Sequence, residues 1–189
     1  MSFDKVVICS GHMLDAPDRS TPRFPASKAE AVGTKIAQQL DQWEVGADDL
    51  AICGGACGAD ILFAEECVRR GARLRLLLAQ EVDAFVRDSV QHAGADWVQR
   101  FHNLREKAEV AVLPASPGEE SGDLSIYARV NLWIIETARS ETADSGKLYT
   151  LLVWDEKATG DGPGGTSDFE TRVRDLGAEI RIINPTIIR

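Results

Sequence analysis

Four groups of residues in this chain have the types and spacing to do chemistry. The first is Ser10-Gly11-His12, where an imidazole that can donate to a phosphate or a sugar follows a residue with no side chain to block a ligand or resist a sharp turn. The second, Cys53-Gly54-Gly55-Ala56-Cys57-Gly58-Ala59-Asp60, is built almost entirely of small residues. Such a turn lets a ligand approach the backbone, and the first N–H groups of a following helix then offer it the positive end of a dipole, so an anion is expected there. The competing reading is a tight turn in which Asp60 merely sits well in the first turn of the helix. It is not a Walker loop, because no Gly-Lys-Ser/Thr follows.

The third group is Arg129-Val130-Asn131: a planar fork for phosphate and a paired donor and acceptor for base or sugar. Two residues apart on a helix diverge by about 200°, so both reach one pocket only near the helix start. The fourth is Trp154-Asp155 followed by Gly160 to Thr166, in which Gly164, Gly165 and Thr166 make a second small-residue turn into a helix. Thr166 can cap that helix or bond a phosphate; Asp155 and Asp161 can equally be turn formers. If the chain cleaves a glycosidic bond, a carboxylate must stand near the anomeric carbon, and Asp60, Asp155 and Glu170 are the candidates, with none decided by its motif. No metal and no cofactor are expected: Cys53 and Cys57 have no second close pair, and His12, His92 and His102 are scattered.

These groups sit at the ends of short apolar runs: Lys5 to Ser10, Leu50 to Cys53, Arg73 to Leu78, Glu109 to Leu113, Leu148 to Trp154 and Glu179 to Ile183. Each is nearly continuous rather than alternating, which is how strands covered on both faces read. Between them run amphipathic stretches. Ser27 to Trp43 carries Val32, Ile36 and Leu40 on one stripe and leaves Lys28, Glu30, Lys35 and Gln39 to solvent. Ala59 to Arg70 ends at Gly71, Asp123 to Arg139 places Ile126, Val130, Ile134 and Thr137 together, and Thr166 to Leu176 stops at Gly177. The alternation predicts an α/β fold: a Rossmann-like, doubly wound, mostly parallel open sheet of about six strands with helices on both faces. Two stretches break it. Gly11 to Pro25, with three prolines, is too long for an ordinary connection and suits a ligand cover. Residues 80–107 hold two short helical patterns and read as a helical insert over the carboxyl edge of the sheet.

With 189 residues, 44% of them apolar, the chain is expected to be one self-folding domain over residues 1–189. Its net charge of −9 argues against duplex DNA and anionic membranes as partners, since both require Lys and Arg to meet negative charge. The amino-terminal sequence lacks the basic and apolar regions of a secretory signal, and no apolar run approaches the roughly 20 residues that cross a bilayer. With four cysteines lying in or beside apolar segments, these features predict a cytoplasmic protein.

Gly11-His12, Gly54-Gly55-Ala56-Cys57-Gly58-Ala59-Asp60, Asn131-Leu132-Trp133-Ile134, and Asp155 with Gly164-Gly165-Thr166 together resemble the SLOG superfamily. These Rossmann-like domains include the DprA proteins and the Lonely Guy phosphoribohydrolases. The match runs in order over nearly the whole chain, and Gly-Gly-Ala-x-Gly-Ala-Asp is its most specific element. The resemblance is closest to members associated with sensing nucleotides or nucleotide-derived signals in bacterial signalling or defence. It implies a ligand set of Gly11, His12, Gly54, Gly55, Ala56, Gly58, Asp60, Arg129, Asn131, Gly164, Gly165 and Thr166, and a homodimer. Arg19 and Arg23 of the Pro-rich loop, with Arg129, would supply positive charge. Two alternatives follow from the same resemblance: an N-glycosidase acting on nucleoside monophosphates, and a DprA-like single-strand DNA binder, which the acidic charge disfavours. The Lonely Guy enzymes carry a catalytic Glu three residues after the Thr of this turn. Here that position is Phe169, and Glu170 lies one step on, about 100° around the helix.

Overall fold

The computed structural model describes residues 3–114, 125–142, 147–157 and 165–188. Its strands are β1 (Val6–Gly11), β2 (Leu50–Cys53), β3 (Arg73–Leu78), β4 (Glu109–Val112), β5 (Leu148–Val153) and β6 (Glu179–Ile183). They form one sheet in the order β4-β3-β2-β1-β5-β6, and every neighbouring pair is parallel. The helices are α1 (Ala29–Gln42), α2 (Ala59–Arg69), α3 (Val82–Ser89), α4 (Ala95–Arg105), α5 (Ile126–Thr142) and α6 (Thr166–Asp175), with 3-10 turns at Ala26–Lys28 and Gln91–Ala93. The chain is thus a Rossmann-like α/β fold, as its alternating pattern predicts.

Chain order steps outward from β1 to β4 in one direction, then returns to β5 and steps to β6 in the other. Parallel strands take right-handed crossovers, so the two directions place their helices on opposite faces. Accordingly α1 packs on α2 and α2 on α4, whereas α5 spans β1, β2, β3 and β5 and packs on α6. The strand order reverses between β1 and β5, which makes the carboxyl ends of those two strands the natural place for a crevice.

Burial follows this layering. Val6 to Cys9, all of β2, and Thr150 to Val153 are buried, while the edge strands β4 and β6 are half-exposed. The predicted stripe of α1 is buried at Val32, Ile36 and Leu40. Gln39, expected in solvent, is buried too, because its Oε1 accepts from Arg181 Nε of β6 at 2.8 Å. On α5 the buried residues are Ala128, Val130, Ile134, Ile135 and Ala138, so Ile126 and Thr137 lie off the centre of that face. Asp123, expected to open this helix, lies outside the described residues. The four cysteines are buried and none forms a disulfide. Among the described residues no helix is long and apolar enough to cross a membrane.

Candidate functional site

At the reversal point a cavity of about 540 Å³ opens beyond the carboxyl ends of the strands. Four segments far apart in sequence line it: Gly11 and His12 after β1, Gly54, Ala56 and Asp60 between β2 and α2, Asn131 of α5, and Gly165 and Thr166 at the start of α6. The two small-residue turns therefore share one cavity wall system. The volume falls in the range of small-molecule sites, roughly 300–1,000 Å³.

The glycines do different work from that expected. Gly11 is the last residue of β1, not a sharp turn, and a Cβ there would lie 2.5 Å from the Val153 carbonyl oxygen and 2.8 Å from the Ala59 Cβ. What its missing side chain admits is β5 and α2, rather than a ligand. Gly58 has φ +92°, and a Cβ on it would meet the His12 carbonyl oxygen and Leu14 N at 2.8 Å. Here the loop after β1 crosses directly over the start of α2, and Ala59 N donates to the His12 carbonyl at 3.2 Å. The Cβ missing from Gly55 would face the Phe101 ring at 3.4 Å, so this residue turns toward the core and not the cavity.

The anion-holding turn before α2 is already occupied by the chain's own carboxyl group. Ala56 N donates to Asp60 Oδ2 at 3.2 Å, and the nearby backbone N–H dipoles of Gly55 and Gly54 favour the charged carboxylate. Burial pushes the Asp60 carboxyl up to about 7, and the three backbone donors pull in the opposite direction. Cys57 N is taken by the Ser89 carbonyl at 3.0 Å. Helix α6 is different: its N-cap is Gly165 in an extended conformation, with no side-chain cap among the described residues. Thr166 is its first helical residue, is buried, and lines the cavity. Gly164 lies outside the described residues.

Asp155, a candidate acid, is occupied elsewhere. Arg23 Nε and Nη2 clasp its carboxylate at 3.1 and 2.7 Å, and His12 Nε2 lies 3.1 Å from Oδ1. The Asp155 and Arg23 side chains are only 1% and 10% exposed. The Arg23 guanidinium, with the His12 ring, holds the Asp155 carboxyl well below the usual carboxylate range. Arg23 is therefore a clamp joining the Pro-rich loop to the end of β5, not a free cation over a ligand. Asp15 organises the same loop by accepting from Arg23 N and Phe24 N at 3.0 and 2.9 Å. Arg19 lines the cavity with its side chain 45% exposed and pairs with Asp15 at 3.4 Å.

Two further candidates lie apart from the cavity. Arg129 is not among its walls; it reaches the Pro114 carbonyl oxygen at 3.4 Å. The 200° divergence on α5 sends Asn131 inward instead. Glu170 pairs with Arg174 one turn along α6 at 2.5 Å, while Phe169 is fully buried. Of the three carboxylates weighed as acids, only Asp60 lines the cavity.

Other walls had no local signal in the sequence. Phe85, Asp88 and Ser89 of α3 and His92 beyond it line the cavity, as does the exposed Tyr127 of α5. His92 Nε2 lies 3.0 Å from the Leu14 carbonyl and 3.4 Å from Cys57 Sγ. Burial pushes the Cys57 thiol up to about 11, so this pair is a packing contact and not an activated nucleophile. Which side chains of residues 80–107 turn inward depends on how α3 docks, and no local pattern in the sequence shows it.

Fold and cavity together define an open, doubly wound α/β protein with a small-molecule-sized crevice at its switch point. No protein-family model and no curated protein matches the sequence. Solved structures similar to it include these two. One is DNA processing protein A (DprA) from Streptococcus pneumoniae, at 16% identity and a TM-score of 0.39, covering 95% of this chain and 58% of that one. The chain thus spans little more than half the length of that protein. The other is the structural-genomics target TM1055, at 14% identity and a TM-score of 0.43, covering 94% of this chain and 91% of that one. Likeness this distant carries nothing about ligand or reaction, which have to come from this chain's own residues.

Proposed function

We propose that the cavity binds a nucleotide or nucleotide-derived ligand and that the protein acts as a sensor whose output is occupancy rather than turnover. The observation that carries this is the meeting of the two small-residue turns, at Gly54 to Ala56 and at Gly165-Thr166, on one cavity of ligand size. In this reading the phosphate lies at the start of α6, where backbone N–H groups and the helix dipole favour negative charge. Asn131 reads sugar or base, and Tyr127 offers a ring beside them. The net charge of −9 supports a small anion held at local positive elements over duplex DNA. The sequence resemblance supports a homodimer, which light scattering would test, and four cysteines in or beside apolar segments support a reducing, cytoplasmic setting.

A second reading, N-glycosidic cleavage of nucleoside monophosphates, is favoured by one observation: a cavity-facing carboxyl, Asp60, that keeps its proton up to about pH 7. Such a group has the acidity of a general acid for a leaving base. One experiment separates the two. Calorimetric titration with AMP, GMP, CMP, UMP and NAD is expected to give saturable binding, and chromatography after long incubation is expected to show no free base. Base release abolished in Asp60→Asn would establish the enzyme instead; no binding across the panel would overturn the sensor.

A further inference from the structure

Asp60 stands where a ligand's anion would otherwise go. Its carboxylate accepts from Ala56 N at 3.2 Å, and a Cβ on Gly54 would lie 3.0 Å from Oδ2, so the carboxylate rests directly on the turn. The neighbouring donors Cys57 N and Ala59 N are engaged by the Ser89 and His12 carbonyls. Above about pH 7 a phosphate arriving at this turn would meet a like charge and find the Ala56, Cys57 and Ala59 donors already taken. Ionised, as it is above about pH 7, the carboxylate offers about four lone-pair directions and no proton. One accepts from Ala56 N, and Asp60 remains a wall of the cavity, so a ligand group placed against the ionised carboxylate has to donate.

We propose that Asp60 sets the specificity of the cavity: the turn before α2 is an anion site filled by the chain itself, and the ligand therefore carries one anionic end, toward α6, and a sugar diol that donates to Asp60. A bisphosphate with two separated anions is rejected. Adjacent ribose hydroxyls match a carboxylate as a two-donor pair, and acidic side chains in Rossmann-type sites recognise ribose in this way. The diol half rests on the nucleotide reading above; the self-filled anion site does not.

The test has two arms. In the first, isotope-edited NMR at pH 8 follows the Gly54, Gly55 and Ala56 amides as sulfate is added. They are expected to stay still in the natural protein and to shift, saturably, in Asp60→Ala; Asp60→Ser serves where the alanine variant does not fold. Equal behaviour in natural and variant protein overturns the self-filled site. In the second arm, calorimetry compares AMP with 2′,3′-dideoxy-AMP. Loss of both hydroxyls is expected to weaken binding by about tenfold or more in the natural protein, as hydrogen bonds to charged groups do, and to change nothing in the variant. Equal affinity of the two nucleotides in the natural protein overturns the diol contact and leaves the base amino group as the donor. If AMP does not bind while the variant still takes up sulfate, the nucleotide reading falls and the self-filled site stands.

Discussion

The two small-residue turns of this protein are alike in composition and opposite in state. Gly54 to Ala59 is closed from within: Ala56 N serves Asp60, Cys57 N and Ala59 N serve two carbonyls, and Gly58 is wedged under the loop after β1. Gly165-Thr166 opens a helix that no described side chain caps, with an ordinary backbone at Gly165, φ −75°. Glycine content thus says that backbone will be approached closely, but not by what. At α2 the visitor is the protein's own chain; at α6 the cavity lies open beside the helix end.

Breaking the closed side should have the largest effect. The Pro-rich loop that covers α2 is pinned by Arg23 on Asp155, and removing one partner strands a buried charge. Arg23→Ala is expected to destabilise by about 3–5 kcal/mol in urea denaturation, with Asp155→Ala similar and the double variant far from additive. A loss below about 1 kcal/mol would mean that the loop is not held this way.

The glycines themselves give the next contrast. Gly58→Ala combines a positive φ with contacts of 2.8 Å to two backbone atoms and is expected to lose about 2–4 kcal/mol. Gly165→Ala, with an ordinary φ, should stay within about 1 kcal/mol. Equal losses would erase the distinction between the turns.

The smallest effect concerns pH. The folded chain holds the Asp60 proton up to about 7, whereas the unfolded chain releases it near 3.8. Protons bound only in the folded state make stability fall as pH rises between those values, and the loss persists above them. Asp60→Asn escapes that loss. Its melting temperature relative to the natural protein is therefore expected to improve between pH 4 and pH 8, by about 2–4 °C once partial exposure has screened the effect to about 1 kcal/mol. No change, or a change of opposite sign, would place Asp60 in a better solvated setting.

Much of this architecture could be read from sequence because it is periodic. Continuous apolar runs such as Val6 to Cys9 announce strands covered on both faces, and Val32, Ile36 and Leu40 announce one buried helix face. The shared cavity was legible too, since small residues at strand ends in a doubly wound sheet converge on one edge. Pairings across long separations were not. Arg23 finds Asp155 over 132 residues, and nothing local marks either as a partner of the other. Asp60 looked like a helix-start residue because spacing reveals its position on α2; that its carboxylate folds back onto Gly54 to Ala56 depends on how the turn closes. Arg129 and Asn131 illustrate the useful case, where helical geometry alone separates two neighbours and the structure sends Asn131 to the cavity.

The most direct measurement is a crystal structure of the protein soaked with AMP. The account predicts the phosphate within hydrogen-bond reach of the first backbone N–H groups of α6, with Asp60 still seated on its turn. A phosphate lodged on the N–H groups of Gly54 to Ala56, with the Asp60 side chain displaced, would contradict it.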